Sequence, residues 1–219
     1  MKTRKAFAVA RLGLAAFELF ALISYFYYTL GVTTVAIANF FSYFTVQSAI
    51  ASVAVILTAA IVALRRPIDP AWLDMLRAMV TTYILVSGVV YGIIVWQSSA
   101  AHYVIEVPWS SQLLHFVIPA CALVDWILDP SKARLSWRYL GWAIVFPVFW
   151  LLYTLIRGPI VGWYPYFFLD ARQVSGPGET VYYCLIIVGI ITGIAALLTW
   201  ITRLKRMPRH RLPLWGSSV

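Results

Sequence analysis

The sequence predicts an all-α, polytopic membrane protein, a bundle of six transmembrane helices with both termini in the cytoplasm. Three observations carry this expectation: the apolar fraction, the length of the apolar runs and the placement of the basic residues. Of the 219 residues, 62% are hydrophobic and 11% charged; a soluble domain averages roughly half and a quarter. A water-soluble fold of this length leaves much of its surface exposed and could not hide so much apolar area. Lipid is therefore the expected solvent for most of the chain, with no room for a separate soluble domain.

Six apolar runs stand out, at about 7–29, 38–64, 77–97, 112–128, 140–160 and 180–202. A bilayer core about 30 Å thick needs roughly 20 such residues as helix. Helix is required because lipid leaves no partner for an unpaired backbone group, and the runs are too long and too uniformly apolar for barrel strands. The first run follows Lys2, Arg4 and Lys5. It is too long for a signal peptide and lacks a small-residue cleavage site, so it reads as the first span. Pro67 and Pro70 end the second, and Asp129-Pro130 stops the fourth. Between the fifth and sixth lies a loop, Gly162 to Gly178, opening on Gly-Trp-Tyr-Pro-Tyr-Phe-Phe-Leu-Asp, whose aromatics suit a membrane interface. Residues 1–206 then form the membrane domain and 207–219 a basic tail.

Fifteen of the 17 lysines and arginines fall at the first end, the 65–77 and 132–138 segments and the tail; Arg157 and Arg172 lie toward the other side. The positive-inside rule puts the basic side in the cytoplasm, and a multi-pass plasma-membrane location follows as the expectation. The net charge of +9 then reflects topology and contact with anionic headgroups rather than nucleic acid. Membrane lipids are the expected partners, and nothing bears on homo-oligomers. Cys121 and Cys184 lie in apolar runs, without the spacing of a zinc site or a disulfide framework.

Depth selects the candidate chemistry. Thr45 lies seven residues into the second run and His115 three into the fourth, so both sit within about 10 Å of the outer boundary. A hydroxyl and an imidazole at matched depth form a candidate nucleophile and base for attack on an acyl carbonyl. Against that, Ser42, Thr45, Ala49 and Ser52 make a small-residue stripe of the kind that packs membrane helices. Glu18, mid-span, is expected to be sheltered in the bundle, where it could orient a catalytic group, help bind substrate or, as a neutral acid, fasten two helices together. Asp125 is about 15 Å along the helix from His115 and is expected to pair with basic residues at the inner face. Arg157 could hold an anionic headgroup or snorkel to the interface. Asp170 could orient His115 or hold a turn. Asn39, Ser42 and Gln47 are the polar residues near Thr45, candidates for substrate contacts. No metal and no cofactor is required. A haem carrier would need paired histidines, and only Glu18 marks the midplane where transporter sites lie.

Four segments carry a resemblance: Asn39-Phe-Phe-Ser-Tyr-Phe-Thr45-Val-Gln, His115-Phe-Val-Ile-Pro-Ala-Cys-Ala-Leu-Val-Asp125-Trp, Tyr153-Thr-Leu-Ile-Arg157-Gly and Gly162-Trp-Tyr-Pro-Tyr-Phe-Phe-Leu-Asp170. The chain resembles, over nearly all six spans, bacterial six-pass proteins related to the androgen-induced and androgen-dependent family. That family's vertebrate members are intramembrane threonine hydrolases of fatty acid esters of hydroxy fatty acids. The resemblance implies Thr45 as nucleophile, His115 as general base and an acyl-chain substrate. The family's surroundings of the histidine are not reproduced, since Leu113-Leu114 precede His115 and Phe116 follows it. Acyl transfer to another acceptor and lipid or small-molecule binding without catalysis are the alternatives.

Overall fold

The computed structural model describes residues 2–31, 36–100 and 107–204, with backbone alone for 97–100. The loop bearing His102 and Glu106 and the basic tail lie outside them. Among the described residues, ten helical elements follow one another: α1 (Lys2–Leu30), α2 (Ile37–Phe40), α3 (Phe44–Arg65), α4 (Ala71–Ala100), α5 (Trp109–Gln112), a π-helical turn (Leu113–Val117), α6 (Ile118–Leu128), α7 (Tyr139–Val161), a 3₁₀ turn (Phe167–Leu169) and α8 (Pro177–Leu204). No strand occurs among the described residues. With α5, the π turn and α6 taken as one rod, six helices among the described residues are long and apolar enough to cross a membrane. This is the architecture of a multi-pass membrane protein.

α4 is the central helix, touching α3, α6, α7 and α8, while α1 lies along α3. Small residues let these axes approach: Ala15, Ala21, Ala49, Ser52 and Ala59 are all buried, in keeping with packing that lipid does not drive by hydrophobicity. On α7 and α8, Phe149, Ile156, Ile160 and Leu185 stay exposed, as expected of faces turned to acyl chains.

Arg4 donates to Ser131 Oγ at 2.6 Å and to the Arg66 carbonyl at 3.3 Å, and Arg203 donates to the Leu135 carbonyl at 2.9 Å. These bonds gather the start of α1, the 66–70 loop, the 129–138 loop and the end of α8 at one basic end. The segments 36–44, 107–112 and 162–176 make the opposite, aromatic end.

Two departures from the sequence reading matter for the site. The second span is not continuous from residue 38: the chain turns at 41–43, and Tyr43 caps α3 in an extended conformation with ψ 135°. The turn is fastened by Trp150, whose indole N–H donates to the Ser42 carbonyl at 3.0 Å, and by Ser42 Oγ donating to the Ala38 carbonyl at 2.7 Å. Thr45 is therefore the second residue of a helix, rather than seven residues, about two turns, into one. The fourth span, in turn, contains the π turn around His115.

Candidate functional site

Thr45 sits where backbone N–H groups lack an intrahelical acceptor and the helix dipole is positive. Its Oγ1 lies 3.2 Å from His115 Nε2 and 2.5 Å from Ser87 Oγ. His115 Nδ1 lies 2.8 Å from the Ser111 carbonyl oxygen, with Ser111 Oγ at 3.2 Å. A carbonyl can only accept, so the ring proton belongs on Nδ1 and the Nε2 lone pair faces Thr45. The imidazole also stacks on Tyr91, ring centroids 3.8 Å apart, and Ser111 Oγ donates to the Tyr91 hydroxyl at 3.2 Å. Two partners and a stacked ring thus fix the base.

The backbone explains how these groups meet. A Cβ placed on Gly88 would lie 2.1 Å from the His115 carbonyl oxygen, so α4 approaches the π turn at a distance that excludes any larger residue. That approach carries Ser87 to Thr45. Single π turns are frequent at functional sites; here the turn releases the regular ladder where the histidine faces α3. From the aromatic end, Tyr166 comes beside Thr45 on the wall of the same cavity. Burial raises the Tyr166 pKa above that of a free phenol, while the neighbouring Thr45 pulls the other way.

These residues line a cavity of about 250 Å³ whose wall includes Tyr25, Tyr43, Thr45, Ser87, Tyr91, His115 and Tyr166. A second, apolar cavity of about 90 Å³ lies between α4, α7 and α8, against Phe44, Trp150, Leu151, Cys184 and Ile187. Ser87, Val90 and Tyr166 belong to both walls. A carbonyl beside Thr45 has polar groups on one side and an apolar slot on the other.

No family model matches this chain, and no curated protein or solved structure matches it at a significant level. The site's chemistry accordingly rests on its own geometry.

The remaining sequence candidates divide. Asn39 and Ser42 stand beside the site, Asn39 accepting from Arg157 Nη2 at 2.6 Å and Ser42 Oγ meeting the Tyr153 hydroxyl at 3.0 Å. Gln47 is spent on the turn, donating to the Phe41 carbonyl at 2.9 Å. Asp170 is held by Arg172 and Gln173 at 2.8 and 2.9 Å; it orders its own loop and does not orient His115. Its pKa lies well below the usual carboxylate range, chiefly because of the Arg172 and Gln173 bonds. Glu18 is fully buried and accepts from Ser52 Oγ at 2.9 Å. Ser52 lies seven residues, about 10 Å, along α3 from Thr45, so Glu18 is outside the Thr45–His115 pair. Its Oε1 and the Ser48 hydroxyl find no partner among the described residues.

A second polar cluster fills the basic end. Arg77 Nη1 donates to Asp69, Asp74 and Asp129 at 3.2, 3.0 and 2.8 Å. Asp125 bridges Arg77 at 2.7 Å and Arg11 at 3.0 Å, the pairing expected of it. Asp69, Asp74 and Asp129 are close enough together to hold a cation, but the guanidinium of Arg77 occupies that role. Sequence reasoning missed Ser87, Ser111, Tyr91 and Tyr166. Ser111 alone left a trace, since a hydroxyl four residues before a histidine lies on the same helical face.

Proposed function

We propose that the protein is an intramembrane threonine hydrolase of lipid esters, with Thr45 as nucleophile and His115 as general base. The observation that carries the reading is the 3.2 Å approach of Thr45 Oγ1 to a His115 Nε2 whose opposite nitrogen is pinned to the Ser111 carbonyl. The family resemblance in the sequence points the same way. Thr45 Oγ attacks the ester carbonyl as its proton passes to Nε2; collapse expels the alcohol, which takes that proton. A water deprotonated by His115 then attacks the acyl-threonine, releasing the acid and restoring the hydroxyl. Ser87, bonded to Thr45, and the Tyr166 hydroxyl on the same cavity wall are the candidate donors for the developing oxyanion, and the apolar cavity suits the acyl chain. With another alcohol in place of water, the same site would transfer the acyl group.

In this reading the basic end faces the cytoplasm and the site opens toward the outer leaflet of the plasma membrane. The test is labelling of the purified protein with a fluorophosphonate probe, followed by a lipid-ester screen. Wild type should be labelled and Thr45→Ala should not; equal labelling of both would end the proposal.

A further inference from the structure

We infer that Arg157 forms a headgroup subsite, holding the oxyanion (carboxylate or phosphate) of an acidic lipid whose acyl part points toward Thr45. The inference rests on the hydrolase reading only for the fate of that lipid; binding of the anion stands apart from it.

Of the two arginines at the aromatic end, Arg157 and Arg172, charge accounting sets Arg157 apart. Arg11 and Arg77 are set among aspartates, and Arg172 pairs with Asp170 at 2.8 Å. Arg157 is half-buried at the aromatic end of α7 and lies within ion-pair distance of no carboxylate among the described residues. Its hydrogen-bond partner is the neutral amide oxygen of Asn39, at 2.6 Å, and its guanidinium lies 5.7 Å from the centre of the Trp163 ring. An amide satisfies one of five N–H groups and none of the charge. A partly desolvated cation calls for a counter-ion, and a guanidinium matches an oxyanion in a bidentate fork. Snorkelling would send the head toward water; the Asn39 bond and the Trp163 ring hold it against the protein instead.

Position supplies the link to the site. Trp150, Tyr153 and Arg157 follow one face of α7, and the first two fasten Ser42. Arg157 is seven residues beyond Trp150, about 10 Å along the axis. Trp163 packs on Tyr43 at 5.4 Å, and Tyr43 on Tyr166 at 6.3 Å. Tyr43 and Tyr166 are walls of the cavity that holds Thr45 and His115. One aromatic layer therefore separates the cation from the reacting groups, a spacing suited to an amphiphile with its charge at the rim and its ester inside.

The test uses full-length Thr45→Ala protein in detergent, so that nothing turns over, carrying an environment-sensitive acyl probe. A long-chain fatty acid, a lysophosphatidate and the fatty alcohol of equal chain length displace the probe in parallel titrations. Both acids, or one of them, should compete at about tenfold lower concentration than the alcohol, equivalent to ~1.4 kcal/mol. Which acid wins identifies the headgroup. Adding Arg157→Gln should erase the advantage and leave the alcohol unchanged, Arg157→Lys should keep part of it, and Asn39→Ala, which spares the charge, should keep most. If Arg157→Gln binds acids as before, or if it and Asn39→Ala weaken acids and alcohol alike, the subsite is refuted. Acid preference in a protein that cleaves no ester would uphold the subsite and remove the hydrolase reading.

Discussion

At the residue level, Thr45 separates chemistry from packing. In the catalytic reading Thr45→Val keeps the side-chain shape and should lower ester turnover on the order of 10³-fold or more, as should His115→Ala, and the double variant should be no worse than either. Thr45→Ser keeps the hydroxyl and should retain measurable turnover. If the small-residue stripe is only packing, Thr45→Val is harmless and His115→Ala acts through stability alone, which a thermal-unfolding series in detergent would reveal. Thr45 and His115 were legible because depth can be counted along a span, and because two polar groups at matched depth in an apolar chain invite pairing. Their partners were not. Ser87 and Tyr91 belong to an ordinary polar scatter along α4, and only the close approach at Gly88 brings Tyr91 to His115 and Ser87 to Thr45. Tyr166 reaches Thr45 from a loop whose aromatics read as an interface belt. Asp170 was legible as a turn residue from its Gly/Pro-rich surroundings, and a turn is what it holds.

Among the elements, the closest helix–helix approach and the buried ion cluster each yield a sharp expectation. Gly88→Ala drives a methyl into the His115 carbonyl, so α4 and the π turn must separate, with a penalty of about 1–3 kcal/mol. Because Ser87 and His115 move with those elements, turnover should fall further than the loss of folded protein explains; unchanged activity in a stable variant would contradict the geometry. At the basic end, Arg77→Ala strands several carboxylates and should destabilise by about 3–5 kcal/mol, read as a lowered unfolding temperature in detergent. Burial pushes the Asp129 pKa up, but Arg77, Arg11 and the Ser131 bonds outweigh it and hold the group below the usual carboxylate range. The stability it contributes is thus complete above about pH 4, its unfolded value, and is lost only as pH falls through the depressed native one. Arg77→Ala should raise the pH at which acid unfolding begins. Hydropathy located every long helix, since length and apolarity are what it measures. The break at 41–43 escaped it, because the turn is apolar and is held by Trp150, a partner 108 residues away, rather than by a proline or glycine.

Across the whole molecule, the proposed orientation rests on an asymmetry between the two ends. Arg4, Arg66, Arg77, Lys132 and Arg203 cluster at the end that gathers the start of α1 and the end of α8, where Arg4 and Arg203 tie its loops together. The opposite end carries Tyr43, Trp163, Tyr164 and Tyr166 and few cations. Because moving short basic loops across a bilayer is unfavourable, we propose that the first end faces the cytoplasm. The expected outcome is specific to two positions. In a background with Cys121 and Cys184 replaced, Ser175→Cys should react with a membrane-impermeant maleimide added to sealed cells, and Arg134→Cys should react only after the membrane is opened. Both side chains are exposed, so a failure to react cannot be laid to burial. Labelling of position 134 in sealed cells would invert the molecule. The Thr45–His115 pair would then face the inner leaflet, and its lipid ester would have to be drawn from the cytoplasmic side.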